Sequence, residues 1–143
     1  EPGCLKQLLE IHEKTQSSVL GVFSASENQV SNYGVISSKN IDGIEKVDGI
    51  VEKPKPADAP SNLAVFGRYI LSKDIFLNIE QTKPGLNNEI QLTDAIHNLI
   101  SNQDVFALEF EGKRFDCGSK EGYISAIIDR ASSIDKYKSI IER

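Results

Sequence analysis

Short runs of β-forming residues, separated by stretches with helical spacing, constrain what this chain folds into more than any other feature. SVLGVFS at 18–24, YGVIS at 33–37, IEKVDGIVEK at 44–53, LAVFGRYIL at 63–71 and VFALEF at 105–110 are rich in valine, isoleucine and aromatic residues. Such side chains pack well on a pleated surface, so each run predicts a strand. Helices show a different period, with apolar residues at i, i+3, i+4 and i+7. Leu5, Leu8, Leu9 and His12 have that spacing near the start, which makes His12 a boundary histidine. Leu92, Ala95, Ile96, Leu99 and Ile100 repeat the pattern later, and Tyr123, Ala126 and Ile127 form the inward face of a helix from Ser119. A last helix covers Ile134 to Ile141. The order α, β, β, β, loop, β, α, α, β, α, α predicts an α/β layered fold. The first strand directly follows a helix, as if the chain entered midway through a βαβ series.

Punctuation between these runs has its own chemistry. Asp42-Gly43 tolerates positive φ and predicts a turn, and Asp48-Gly49 predicts a break in the third run. PKPADAP at 54–60 holds three prolines and is read as a loop. Ser72 is placed to cap a short helix over 73–80, followed by a loop over 81–87 through Pro84-Gly85. Asn88 and Gln91 have capping-box spacing ahead of the next helix.

Composition removes several classes of function. The 143 residues carry a formal net charge of −5 and are 39% hydrophobic. A mildly acidic chain lacks the clustered cations a nucleic-acid binder needs, and no apolar run approaches the ~20 residues of a membrane span. No basic-then-apolar leader opens the sequence, so the expected setting is the cytoplasm. Cys4 and Cys117 are far apart and in unlike contexts, which predicts two free thiols. The chain contains no Met. An intracellular protein begins with one, so the expectation is an internal piece of something longer.

Two places can carry chemistry. Glu52-Lys53-Pro54 ends the third run, and ligands of open α/β sheets bind at the carboxyl ends of strands. Successive strand side chains face opposite ways. Glu52 and Lys53 therefore serve one ligand only if the chain bends there, and Pro54 is positioned to impose the bend. The lysine suits a phosphate and the glutamate suits polyol hydroxyls; a solvated ion pair is the plainer alternative. Asp116, in Phe115-Asp116-Cys117-Gly118, sits between a strand and a helix. A carboxylate there can share Mg²⁺ with substrate phosphates, or simply end a turn. Gly34, in YGV, lets a ligand approach the backbone closely. P-loop, dinucleotide-binding, zinc-protease and serine-elbow motifs are absent.

Taken in order, YGV at 33–35, GIVEKPKP at 49–56, APSNLAVFGRYIL at 59–71, NEIQLTDAI at 88–96 and FDCG at 115–118 closely resemble bacterial UTP–glucose-1-phosphate uridylyltransferases, or UDP-glucose pyrophosphorylases. The resemblance implies the C-terminal part of a Rossmann-like α/β/α nucleotidyltransferase fold with a mixed sheet. It implies Mg²⁺-dependent transfer of uridylyl from UTP to glucose 1-phosphate, giving UDP-glucose and pyrophosphate. It assigns Gly34, Glu52, Asn62 and Val65 to the sugar, Lys53 to the sugar phosphate and catalysis, and Asp116 to catalysis and the metal. The family's glycine-rich nucleotide segment, GxGTRxLPxTK, and its earlier metal-binding aspartate do not occur in this sequence. The expectation is therefore a single partial domain over 1–143, inactive alone. A truncated sheet is expected to expose an edge and to self-associate as a homo-oligomer. A non-catalytic α/β module that binds a sugar phosphate or a protein is the alternative.

Overall fold

The computed structural model describes residues 2–85 and 88–141, so part of the expected 81–87 loop lies outside the described residues. The chain divides into two compact units, Glu1–Glu111 and Gly112–Arg143.

In the first unit, α1 (Cys4–Thr15) leads into β1 (Ser18–Ser24), β2 (Gly34–Ile41), β3 (Ile44–Glu52) and β4 (Leu63–Ile70). Helices α2 (Ile75–Gln81) and α3 (Leu92–Ile100) precede β5 (Val105–Glu109). The strands run β1-β4-β2-β3-β5 and close, since β5 also pairs with β1. That last pair is parallel and the other four are antiparallel, so the sheet is mixed as expected. Among the described residues the exposed edge expected of a truncated sheet is not found, because each strand there has two neighbours.

Alternation along the strands builds two apolar layers. Leu20, Val22, Ile36, Ile50 and Val65 face Ile75 of α2 and Ala95, Ile96 and Leu99 of α3. On the other side Val19, with Ile70, Phe106 and Leu108, receives Leu8 and Ile11 of α1. The sheet thus lies between helices on both faces, the α/β/α arrangement.

Several local expectations are corrected. In α1 the buried residues are Gln7, Leu8 and Ile11, whereas Leu5 and Leu9 are exposed. The helix is rotated because the Gln7 amide is spent on the main chain of Glu111. Its Nε2 donates to the Glu111 carbonyl (2.8 Å) and its Oε1 accepts the Glu111 N–H (2.9 Å), which satisfies a polar group that burial would otherwise penalise. Ser72 caps nothing; its N–H donates to Ser18 Oγ and its Oγ accepts from Gln103 Nε2, and α2 starts at Ile75. The capping box does not form either. Asn88 has φ +60 and donates its N–H to the Gly85 carbonyl, and α3 begins only after Gln91.

The β2–β3 hairpin turns at Asp42 (φ +52) and Gly43 (φ +84), the pair of positive φ values that a two-residue turn between twisted strands requires. The predicted break at Asp48-Gly49 is a bulge in a continuous strand. Ser37 pairs with Gly49 and Ser38 with Val47, so Asp48 is the extra residue.

The second unit holds α4 (Lys120–Ser132) and α5 (Asp135–Ile141). Ser119 caps α4 by accepting the Gly122 N–H at 3.0 Å. The predicted inward face is wrong: Tyr123 and Ile127 are exposed, and neither helix has a buried residue. The better-covered positions are Gly122, Ala126 and Asp129, one helical stripe, with Asp129 paired to Lys113. Among the described residues no helix is long and apolar enough to cross a membrane.

Candidate functional site

The site forms where β2 begins and β3 ends. Gly34 and Glu52 are direct partners in the antiparallel ladder. One step beyond, the Lys53 N–H donates to the Tyr33 carbonyl at 3.0 Å. Lys53 has φ +45, so the expected bend is at the lysine itself. A side chain in this left-handed region costs roughly 1–2 kcal/mol, and the following proline, Pro54, disfavours the right-handed helical alternative. The bend sets Lys53 Nζ 3.8 Å from Glu52 Oε1, with the lysine side chain half exposed and that of the glutamate 20% exposed. A pair this open to water contributes at most about 1 kcal/mol.

Three elements, β3, β4 and α3, converge on Gly34. A Cβ placed there would lie 2.7 Å from Thr93 Cγ2, 3.0 Å from Val65 Cγ2 and 3.3 Å from Glu52 Oε2. No side chain larger than hydrogen fits without displacing a neighbour. Thr93 is buried, and its Oγ1 has no hydrogen-bond partner among the described residues. A buried hydroxyl in that state costs on the order of 1–3 kcal/mol, so a ligand hydroxyl that satisfied it would bind with that advantage. Burial pushes the Tyr69 phenol up, a hydrogen bond with the Gly67 backbone lowers it, and the Glu52 carboxylate raises it further. A cleft of about 420 Å³ opens alongside, lined by Glu52, Lys53, Gln91, Asp94 and His97 among others.

The structure therefore brings Gly34, Glu52, Lys53 and Val65 together. Asn62 is placed differently. Its Nδ2 donates to Ser24 Oγ (3.3 Å) and its carbonyl accepts the Ala25 N–H (2.9 Å), tying the start of β4 to the end of β1. Thr93, which packs against Gly34, was not named from the sequence. It lies inside the matched string EIQLTDAI, but nothing in its spacing distinguishes it from an ordinary packing residue.

Asp116 belongs to the second unit. Its Oδ1 accepts the Gly118 N–H at 3.0 Å, and its carbonyl accepts from the Ser119 N–H (3.3 Å) and Ser119 Oγ (3.2 Å). The carboxylate is on an exposed residue. Among the described residues no group of three or more His, Cys, Asp or Glu is arranged to hold a metal by itself. Mg²⁺ is commonly held by one or two carboxylates with substrate phosphates supplying further oxygens, and Asp116 fits a one-carboxylate share of that kind. Cys4 and Cys117 are both free thiols as predicted, and burial pushes the Cys4 thiol up.

A nucleotidyl transferase family model matches residues 3–133, and the chain belongs to that family. Within it the chain resembles the uridylyltransferases. It is 47% identical over 128 residues to UTP–glucose-1-phosphate uridylyltransferase 2 of Streptococcus pyogenes serotype M3, a match covering 88% of this chain and 43% of the relative. A UDP-glucose pyrophosphorylase solved in complex with UDP-glucose superposes with a TM-score of 0.88 at 44% identity, over 94% of this chain and 51% of the other. A UTP-bound enzyme of the same kind from Acinetobacter baumannii gives a TM-score of 0.81 at 33% identity, over 99% and 50%. The chain thus spans about half the length of the relatives it matches.

Proposed function

We propose that this chain carries the sugar-phosphate half of a UTP–glucose-1-phosphate uridylyltransferase and forms UDP-glucose only together with a nucleotide-holding half. The convergence of Gly34, Glu52 and the unpartnered Thr93 hydroxyl beside Lys53 carries the proposal. Its terms match a phosphorylated sugar: a glycine backbone wall, a hydroxyl acceptor, a buried polar group awaiting a partner, and a cation at the rim.

In the proposed reaction a phosphate oxygen of glucose 1-phosphate attacks the α-phosphorus of UTP, and the bond to pyrophosphate breaks. Alignment and charge neutralisation govern such a step. The Gly34 backbone and Val65 form the pocket wall. Glu52 accepts sugar hydroxyls, and Thr93 Oγ1 exchanges a hydrogen bond with one of them. Lys53 offsets the charge of the sugar phosphate and holds it in line. Asp116 would hold Mg²⁺ by one carboxylate, and the ion when bound neutralises phosphate charge. No protein nucleophile is required. The proposed setting is cytoplasmic, where UTP and glucose 1-phosphate are available.

The test is an amide NMR titration of the isotope-labelled chain with UDP-glucose and Mg²⁺. Shifts concentrated at Gly34, Lys53, Thr93 and Asp116 are expected. A dispersed spectrum that ignores UDP-glucose overturns the sugar-site assignment. A coupled assay on the purified chain tests its incompleteness, and robust UTP-dependent synthesis of UDP-glucose would refute it.

A further inference from the structure

Gly122 stands in the first turn of α4, six residues after Asp116, and its surroundings are unlike those of an ordinary helix glycine. A Cβ at position 122 would overlap the main-chain carbonyl oxygen of Asp116 and lie 2.8 Å from the carbonyl carbon. It would also lie 2.8 Å from Ser119 Oγ. Two of these neighbours are backbone atoms that no rotamer change can move aside. The same turn is tied by polar contacts. The Gly122 N–H donates to Ser119 Oγ, and that hydroxyl in turn donates to the Asp116 carbonyl. The Gly118 N–H then donates to Asp116 Oδ1, so the direction of the carboxylate follows the main chain that Gly122 admits.

We infer that Gly122 is a positioning residue for Asp116. Its missing side chain lets the Asp116 carbonyl close onto α4, and this closure fixes where the carboxylate points. The inference rests on the proposed metal-ligand role of Asp116 for its consequence, while the packing of Gly122 against Asp116 stands on geometry alone. Helix propensity predicts the opposite behaviour. Alanine is a better helix former than glycine, so Gly122→Ala should strengthen α4 if the position were merely helical.

The experiment follows the Gly118 amide resonance and its paramagnetic broadening by Mn²⁺ in the presence of UDP-glucose, in the chain and in three variants. In Gly122→Ala the Gly118 resonance is expected to move, and Mn²⁺ should bind roughly tenfold or more weakly, the scale seen when a partner of a metal ligand is lost. Circular dichroism should show α4 retained. Ser119→Ala adds no bulk and serves if Gly122→Ala disturbs folding; it should produce the same changes to a smaller degree. Asp116→Asn should abolish the broadening. If Asp116→Asn abolishes it while the other two variants leave both readouts unchanged, the inference fails and the metal assignment survives. If Asp116→Asn leaves it intact, the metal assignment fails, and the Gly118 shift in Gly122→Ala still decides whether Gly122 holds Asp116.

Discussion

Gly34 and Glu52 face one another across the end rung of the β2–β3 ladder, so close that a Cβ on Gly34 would stand 3.3 Å from the glutamate's Oε2. The hydrogen at position 34 is what leaves room for that carboxylate oxygen against the backbone. Gly34→Ala also drives a methyl group to within 2.7 Å of Thr93 Cγ2. Overpacking of this kind costs about 1–3 kcal/mol. A lower melting temperature and at least a tenfold loss of UDP-glucose affinity, about 1.4 kcal/mol, are expected. Wild-type affinity in this variant would show that the sugar lies elsewhere.

Thr93→Val separates stability from binding by sign. Valine removes the unpartnered buried hydroxyl while keeping the branched shape, so the ligand-free chain should melt at the same or a higher temperature, by up to about 1 kcal/mol. UDP-glucose should bind more weakly. Calorimetric titration checks both, and equal affinities would remove Thr93 from the site.

Lys53 occupies the left-handed region, which asparagine tolerates better than other residues with a side chain. Lys53→Asn should therefore fold with unchanged or slightly raised stability and lose affinity for glucose 1-phosphate. A marked drop in melting temperature with ligand affinity preserved would make the lysine a structural element of the bend.

Glu45 gives a pH signature. Hydrogen bonds from Asn40 Nδ2 and then Ser38 Oγ hold its carboxyl below the usual range. The unfolded chain then binds the proton more readily, so stability rises with pH across this window. The contribution is complete above the ordinary glutamate value and is lost as pH falls through the lowered one. Thermal melts taken on descending into that acidic range should fall less steeply for Glu45→Gln than for the wild-type chain. Parallel slopes would contradict the linkage.

The strands and the Asp42-Gly43 turn were legible in the sequence because their signals are local: β-branched runs, alternation, and a dipeptide that accepts positive φ. The outcomes that escaped it are tertiary. Leu5 and Leu9 fit a helical face as well as Leu8 and Ile11 do, and only the pairing of Gln7 with Glu111, 104 positions away, rotates α1 to bury one set. The stripe of α4 that is best covered runs through Gly122 and Asp129, residues whose types predict a solvent face. Gly34, Glu52, Lys53 and Val65, which the structure brings together, were named through the matched motifs. Thr93 was not, because an orphaned hydroxyl exists only once a core surrounds it.

The extra residue in β3 bends the strand without changing which way the site faces. Val47 and Ile50 both point into the α3 side of the sheet although three positions separate them, a phase that an uninterrupted strand forbids. Glu52 shares its face with Ile50 and pairs with Gly34, as Ile50 pairs with Ile36. Excising Asp48 would place Val47 and Ile50 two positions apart, the spacing of a single face in a regular strand, so Val47, Ile50 and Glu52 would all keep their side and only the local bend would be lost. The aspartate thus adds curvature to the carboxylate wall without setting its side, and a frame-preserving deletion there is expected to be milder than replacing Glu52 or Lys53.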